Sequence, residues 1–409
     1  MRNYLAFLLL ILAAHTAMNQ SLDDYLEVAL QNNPDLKAAY FSFEAQLEKV
    51  EQVKFLTNPT LGFGYFISPI ETRLGSQQTK ISLSQIFPWF GTLSAKKAAA
   101  SLIAAAQFEQ FRSEQALLTF KVKTAYYNYL EALELLEIHR QNLSIMKSHK
   151  NMAKIAYSNG KSKNTEVLDA NLMLDEITSN IQILDQRLDL LKRSFNRLLN
   201  RPDSLKITAT TLAEPTDLNI NKDPDSTLAH HPKMAALEQQ MAAAIIDENV
   251  ARKNGLPQIG VGIDYMVIQP LDGSMVKNNG KDALMPMVSL SLPIFRKKYQ
   301  SQIREIQLYQ KQLAAQKKQL QNTLTIEWVT AQNQRFESQA QYDLDEKRIQ
   351  NANQKITFAF SDFRVANGNF KNILEAQKNL LKFKLSQVTW KRNYAEALAK
   401  MTYLISKEL

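Results

Sequence analysis

Residues Tyr157–Ala170, YSNGKSKNTEVLDA, are echoed about 200 residues later by Phe363–Ala376, FRVANGNFKNILEA. Aligned without a gap, Tyr157 falls on Phe363, Gly160 on Ala366, Leu168 on Leu374, Asp169 on Glu375 and Ala170 on Ala376. An internal repeat constrains a fold more than any local propensity does, because each copy must be built in the same way. The echo extends in both directions. SLDDYLEVALQNNPDL (21–36) resembles STLAHHPKMAAL (226–237), with Pro34 facing Pro232, and NPTLGFGYF (58–66) resembles LPQIGVGIDY (256–265), with Pro59 facing Pro257. ISLSQIFP (81–88) likewise resembles VSLSLP (288–293).

The expected order in each copy is helix, strand, polar loop, strand, long helix, tip motif, helix. This places a first repeat over 21–200, with its strand pair at about 58–90 and its helical hairpin over 92–200. A linker rich in Thr, Asp, Asn and Pro covers 201–225. The second repeat covers 226–409, with strands at about 257–295 and helices over 298–405. Residues 1–20 read as a cleaved secretory leader, in which Arg2 precedes a short apolar run from Leu5 to Ala14.

The helices are long. From about Thr92 to Ala156, and from about Lys298 to Phe360, Gly and Pro are nearly absent, so each stretch can run about 95 Å at about 1.5 Å per residue. Leu174, Ile177, Ile181, Leu184, Leu188, Leu191, Phe195 and Leu198 recur at spacings of three and four, the pattern of a coiled-coil seam. Stretches of roughly 35 residues, from about Ser21 to Lys54 and Thr165 to Asn200, suit two shorter helices stacked beside one long one.

The strands alternate. Leu61, Phe63, Tyr65 and Ile67 share one face in the first copy, and Ile259, Val261, Ile263, Tyr265 and Val267 share one in the second. Period two with one apolar face fits a membrane-barrel strand, and it also fits a half-buried soluble hairpin. The intervening SPIETRLGSQQT and IQPLDGSMVKNNGKD read as polar loops. Trp89 and Phe90 end one strand pair, followed by Lys96 and Lys97; Arg296, Lys297 and Lys298 follow the other. Aromatics flanking an apolar band suit a bilayer interface. The cations at helix starts oppose the macrodipole, so lipid phosphate is a candidate partner beside plain solvation. Four strands cannot close a membrane barrel, so strands that span a membrane require oligomerisation.

This order of elements, the SLDDYLEVALQNNPDL opening, the LSQIFPWFG strand end and the tip motif of Tyr157, Gly160, Leu168, Asp169 and Ala170 resemble the TolC family of outer-membrane efflux proteins. The resemblance implies an α+β membrane protein: a homotrimer whose four strands per chain join in a twelve-stranded β-barrel, above a coiled-coil α-helical barrel crossing the periplasm. It implies the outer membrane of a Gram-negative bacterium, with outer-membrane lipid around the barrel. The partners it implies are a periplasmic adaptor (membrane fusion) protein and an inner-membrane pump of RND or ABC type. The adaptor-docking tips would be Tyr157, Asn159, Gly160 and Lys161, and Phe363, Ala366, Asn367 and Gly368. The pore constriction would draw on Glu166 and Asp169 in the first copy and Asn372 and Glu375 in the second. Phe363 stands where the family often has Tyr, and Gly368 where an Arg can contribute to closure.

No enzymatic constellation, metal-ligand spacing or phosphate loop is present in the sequence, so neither cofactor nor metal is expected. His139 and His149, ten apart, are expected on different helix faces. His230 and His231 adjoin Pro232 at a helix start. Met266, Met275, Met285 and Met287 gather around the second strand pair; thioethers can bind Cu(I), and ordinary apolar or loop roles suit them too. The chain has no cysteine and a formal charge of +9, and nucleic acid is not an expected partner. The function expected is a passive efflux channel for small molecules or metal ions. A type I protein-secretion duct and a soluble periplasmic coiled-coil scaffold are the alternatives.

Overall fold

The computed structural model describes residues 21–208, 210–216, 228–273, 275–365 and 369–405. The expected leader (1–20), linker residues 217–225 and the tip residues Ala366, Asn367 and Gly368 lie outside the described residues. The first half runs α1 (Leu22–Asn32), α2 (Pro34–Gln52), β1 (Thr60–Thr72), β2 (Gly75–Phe87), α3 (Thr92–Ser158) and α4 (Asn164–Leu198). The second runs α5 (Pro232–Asn254), β3 (Gln258–Gln269), β4 (Ala283–Ser291), α6 (Arg296–Arg364) and α7 (Phe370–Ile405). Helices α3 and α6 hold 67 and 69 residues. Among the described residues no helix is long and apolar enough to cross a membrane.

Two local features depart from expectation. The first helix is two helices, because Pro34 pushes Asn33 into extended backbone (φ −63°, ψ 125°). The break is used: the Asn33 side chain accepts from Leu36 N at 3.1 Å and donates to Leu198 O at 3.0 Å, starting α2 and tying it to the end of α4. The polar stretch after Ile67 is also strand rather than loop. Ile70 pairs with Gln77, Glu71 with Ser76 and Thr72 with Gly75, leaving only Arg73 and Leu74 in the turn. Apolar periodicity ends there while backbone pairing continues.

The chain forms two compact units. One gathers Tyr40–Phe111 and Pro232–Leu320 and holds the sheet, an antiparallel meander in the order β1-β2-β3-β4. The register aligns apolar side chains in rows: Leu61, Leu83, Ile263 and Pro286 in one, and Phe63, Ile81, Tyr265 and Leu284 in the next. That face is exposed in the single chain, Ile67 by 93% and Val288 by 81%. The opposite face carries Gly62, Gly64, Gly260 and Gly262 with Ser82 and Ser84, and an ion pair between Lys80 and the fully buried Asp264.

The other unit gathers the described residues within 21–39, 112–231 and 321–405. Tyr25, Tyr126 and Phe195 pack with ring centroids 5.2–5.9 Å apart, under the Arg201 guanidinium 4.8 Å from the Tyr25 ring. Both tyrosine hydroxyls hold the linker backbone: Thr208 N donates to Tyr25 at 2.8 Å, and Tyr126 donates to Thr208 O at 3.2 Å. Buried Glu131 on α3 lies between Arg187 of α4 (3.5 Å) and Arg392 of α7 (3.6 Å), joining three helices.

One glycine is indispensable to the sheet. Gly75 adopts φ +132°, and a Cβ there would meet the Gln269 carbonyl oxygen at 2.1 Å. Gly75→Ala is expected to break the β2–β3 register and sharply lower the yield of folded protein in detergent. Gly273→Ala, where a Cβ meets nothing within 4 Å, carries only the backbone cost and should retain most of that yield.

Candidate functional site

The first helical turn is built by its glycine. Helix α3 ends at Ser158, and Gly160 takes φ +69°, the left-handed region open to glycine. Gly160 N donates to Tyr157 O at 2.9 Å and Lys161 N to Ala156 O at 2.8 Å, closing the end of α3 in a Schellman arrangement. Tyr157, Asn159, Gly160 and Lys161 are all exposed. In the second turn Asn369 starts α7, its side chain accepting from Lys371 N at 2.9 Å. Phe363 is half-buried and meets Phe370 edge-on at 5.4 Å, so it packs into the helical core instead of facing out.

The four candidate pore residues separate into different environments. Asp169 and Glu375, matched by the repeat, line one depression between α4 and α7 of about 230 Å³, with Leu172, Met173, Glu176, Lys371, Leu374 and Lys378. Glu375 is 55% exposed, with the Lys371 ammonium 3.8 Å away. Asn372 is exposed outside that depression. Glu166 is buried, and Ser162 Oγ donates to its carboxylate, so it serves the start of α4.

Beneath the turns lies a core drawn from four helices: Met146 and Ala153 of α3, Val167, Ala170, Leu174 and Ile177 of α4, Ala359 of α6, and Phe370, Ile373 and Leu374 of α7. Here the expectation for the histidines is corrected. His139, Asn142, Met146, His149, Ala153 and Ala156 are all buried, and their spacings of three and four make one seam. Ten residues are one heptad plus three, so His139 and His149 fall on the same stripe. Asn142 accepts from Gln377 of α7 at 2.9 Å inside the core. The seam spacing was available in the sequence, but its polar members concealed it.

At the ends of the sheet, Trp89 and Phe90 stack edge-on at 6.0 Å, and Phe90 is exposed. Phe295 and Ile294 are exposed at the equivalent place after β4. Lys97, Arg296, Lys297 and Lys298 are exposed and Lys96 half-buried. Lys253 Nζ reaches Phe90 O at 3.5 Å, and Arg296 reaches Gly255 O at 3.4 Å, so carbonyls engage part of this charge. Glu51 is held below the usual carboxylate range by its hydrogen bond from Lys54, with a smaller contribution from Lys97.

Residues 25–196 match the family model described as "Outer membrane efflux protein". In fold the chain is similar to a structure of CusC, described for its folding and transmembrane channel formation, with a TM-score of 0.82 at 16% identity over 96% of this chain and 93% of that one. It is similar to a membrane protein from Pseudomonas aeruginosa, with a TM-score of 0.79 at 16% identity over 95% and 90% of the two chains. It is also similar to the outer membrane protein VceC from Vibrio cholerae, with a TM-score of 0.77 at 16% identity over 95% and 96%. No curated protein matches the chain in sequence. Residues 25–196 thus carry a sequence match to the outer membrane efflux protein family, and the chain over both repeats shares the fold of these channel structures.

Proposed function

We propose that this chain is the outer-membrane channel of a tripartite efflux system, a passive conduit that performs no chemistry of its own. The observation that carries this reading is the sheet: four strands with continuous apolar rows on an exposed face and glycine, serine and an ion pair on the other. That is the sidedness of a barrel wall, apolar toward lipid and polar toward a lumen. Three copies supply twelve strands, enough to close, and remove the two edges that hydrocarbon would not tolerate. The aromatic residues and cations at the strand ends then meet the interface and lipid phosphates, in the outer membrane of a Gram-negative bacterium. The helical turns face a periplasmic adaptor, and an inner-membrane pump of RND or ABC type supplies the energy. Small molecules or metal ions are the cargo.

The first test is the mass of the detergent-purified protein by light scattering, corrected for bound detergent. A detergent-resistant trimer is expected; a monomer that stays soluble without detergent would overturn the reading.

Val261→Asp puts a charge in the apolar row beside Val288 and should hinder assembly by up to about 2 kcal/mol per chain, seen as lost trimer on an unheated gel. Gly160→Trp meets open space within its own chain, with a backbone cost of about 1–2 kcal/mol. Trimer mass should therefore persist while export falls; normal export would remove Gly160 from the docking surface. Glu375→Lys reverses charge at an exposed turn-end position. In planar bilayers it should lower cation selectivity, and unchanged selectivity would exclude Glu375 from the constriction.

A further inference from the structure

His149 occupies an unusual place. It is buried in the α3 seam, its ring edge-on to Phe360 of α6 at 5.6 Å and to Phe370 of α7 at 6.4 Å, and its Nδ1 has no hydrogen-bond partner. It lies seven residues beyond Asn142 on α3, and Phe370 lies seven before Gln377 on α7, so one antiparallel register carries both contacts. A neutral imidazole fits between two aromatic rings. An imidazolium brings two donors and a full charge into the same space.

The neighbouring elements offer that charge little relief. Helix α3 itself places Lys147 and Lys150 nearby in sequence, and α6 brings Lys355, Asp362 and Arg364, none of them buried. Helix α7 brings Lys371 and Glu375, which pair with each other at its surface. Helix α4 brings the exposed Asp169 and the buried Glu166, whose carboxylate is engaged by Ser162. Burial alone therefore sets the His149 equilibrium and lowers its pKa from the usual histidine value.

His139, on the same seam, differs in two respects. Burial lowers its pKa, but Glu176 opposes that shift, and its side chain lines a cavity of about 420 Å³ with Asn180, Ser386 and Thr389. A charge on His139 meets a carboxylate and space for water; one on His149 meets two phenyl rings.

We propose that His149 makes the helix packing at the turn end acid-sensitive: a proton on its imidazole separates α3 from α6 and α7 and loosens the four-helix core beneath the turns. Because the packed state favours the neutral ring, the packing is complete above the ordinary histidine pKa of about 6.5 and is lost progressively as pH falls below it. A periplasmic segment is exposed to such changes, since small ions equilibrate across a porous outer membrane.

The test is hydrogen exchange on the full detergent-solubilised protein at about pH 7.5 and about pH 5, corrected for the intrinsic pH dependence of exchange. Protection over residues 142–156 and 370–380 should fall on acidification, by up to about thirtyfold at about pH 5, the limit set by a loosened-state histidine pKa of about 6.5. His149→Leu and His149→Gln should each abolish that fall, while His139→Gln should leave it in place. Either His149 variant suffices if the other fails to assemble. An undiminished fall in a His149 variant, its loss in His139→Gln, or no fall in the unaltered protein would overturn the proposal. Bilayer conductance on the same preparations tests the channel reading separately. Acid loosening with unchanged conductance would uphold the switch and count against the turns as the closing end.

Discussion

A peptide group in hydrocarbon must find its hydrogen bonds within protein, and most of this chain's organisation follows from that requirement on β1–β4. The rows from Leu61 across to Pro286 make one face of the sheet insoluble in water, yet the meander leaves an open edge at β1 and another at β4. A single chain satisfies neither condition. Closure by further copies meets both at once, and it explains why the opposite face is so lightly built, with four glycines and short serines where a closed wall curves inward. The pair of half-exposed Lys80 with buried Asp264 belongs on that face, since a charge pair in the apolar rows would face lipid.

The helical unit solves a different problem, that of holding long helices together without a globular interior. It does so with thin seams. Alanine at positions 153, 156 and 170 lets backbones approach, while Glu131 between two arginines and Asn142 with Gln377 fix the register at isolated points. Buried polar contacts of this sort add little net stability, but sliding one helix past its neighbour would strand them. Both seam histidines leave Nδ1 without a hydrogen-bond partner, but His139 has Glu176 and a cavity beside it whereas His149 has two phenyl rings, which makes His149 the sensitive position.

Much of this was legible in the sequence. The repeat, the two long helices and the apolar strand faces follow from glycine and proline placement and from simple periodicity. What was missed has a common cause. The helix break at Asn33 was signalled by Pro34, but its use as a cap for α2 and a tie to Leu198 depends on a residue 165 positions away. The continuation of β1 to Thr72 was hidden because pairing there is carried by polar residues. The shared seam of His139 and His149 is hidden because three of its six buried members, His139, Asn142 and His149, are polar and break the apolar period. At the candidate site, Gly160 was readable from its chemistry, whereas the inward turn of Glu166 toward Ser162 was not, since a carboxylate at a helix start can point either way.

The pairing of β2 with β3 joins the first repeat to the second by the same kind of ladder that joins the strands within each repeat. A wall made of one repeat alone would need every unit to be identical, and each substitution would recur at six places. Carrying two repeats on one chain relaxes that symmetry to threefold. Half the turns can keep a left-handed glycine at position 160 while their counterparts diverge to alanine, and half the helix starts can bury a glutamate at 166 while the others expose Asn372. Fusion thus gives the assembly two kinds of subunit end from one gene product; on the docking role proposed for the turns, a partner that binds one kind has a reason not to bind the next.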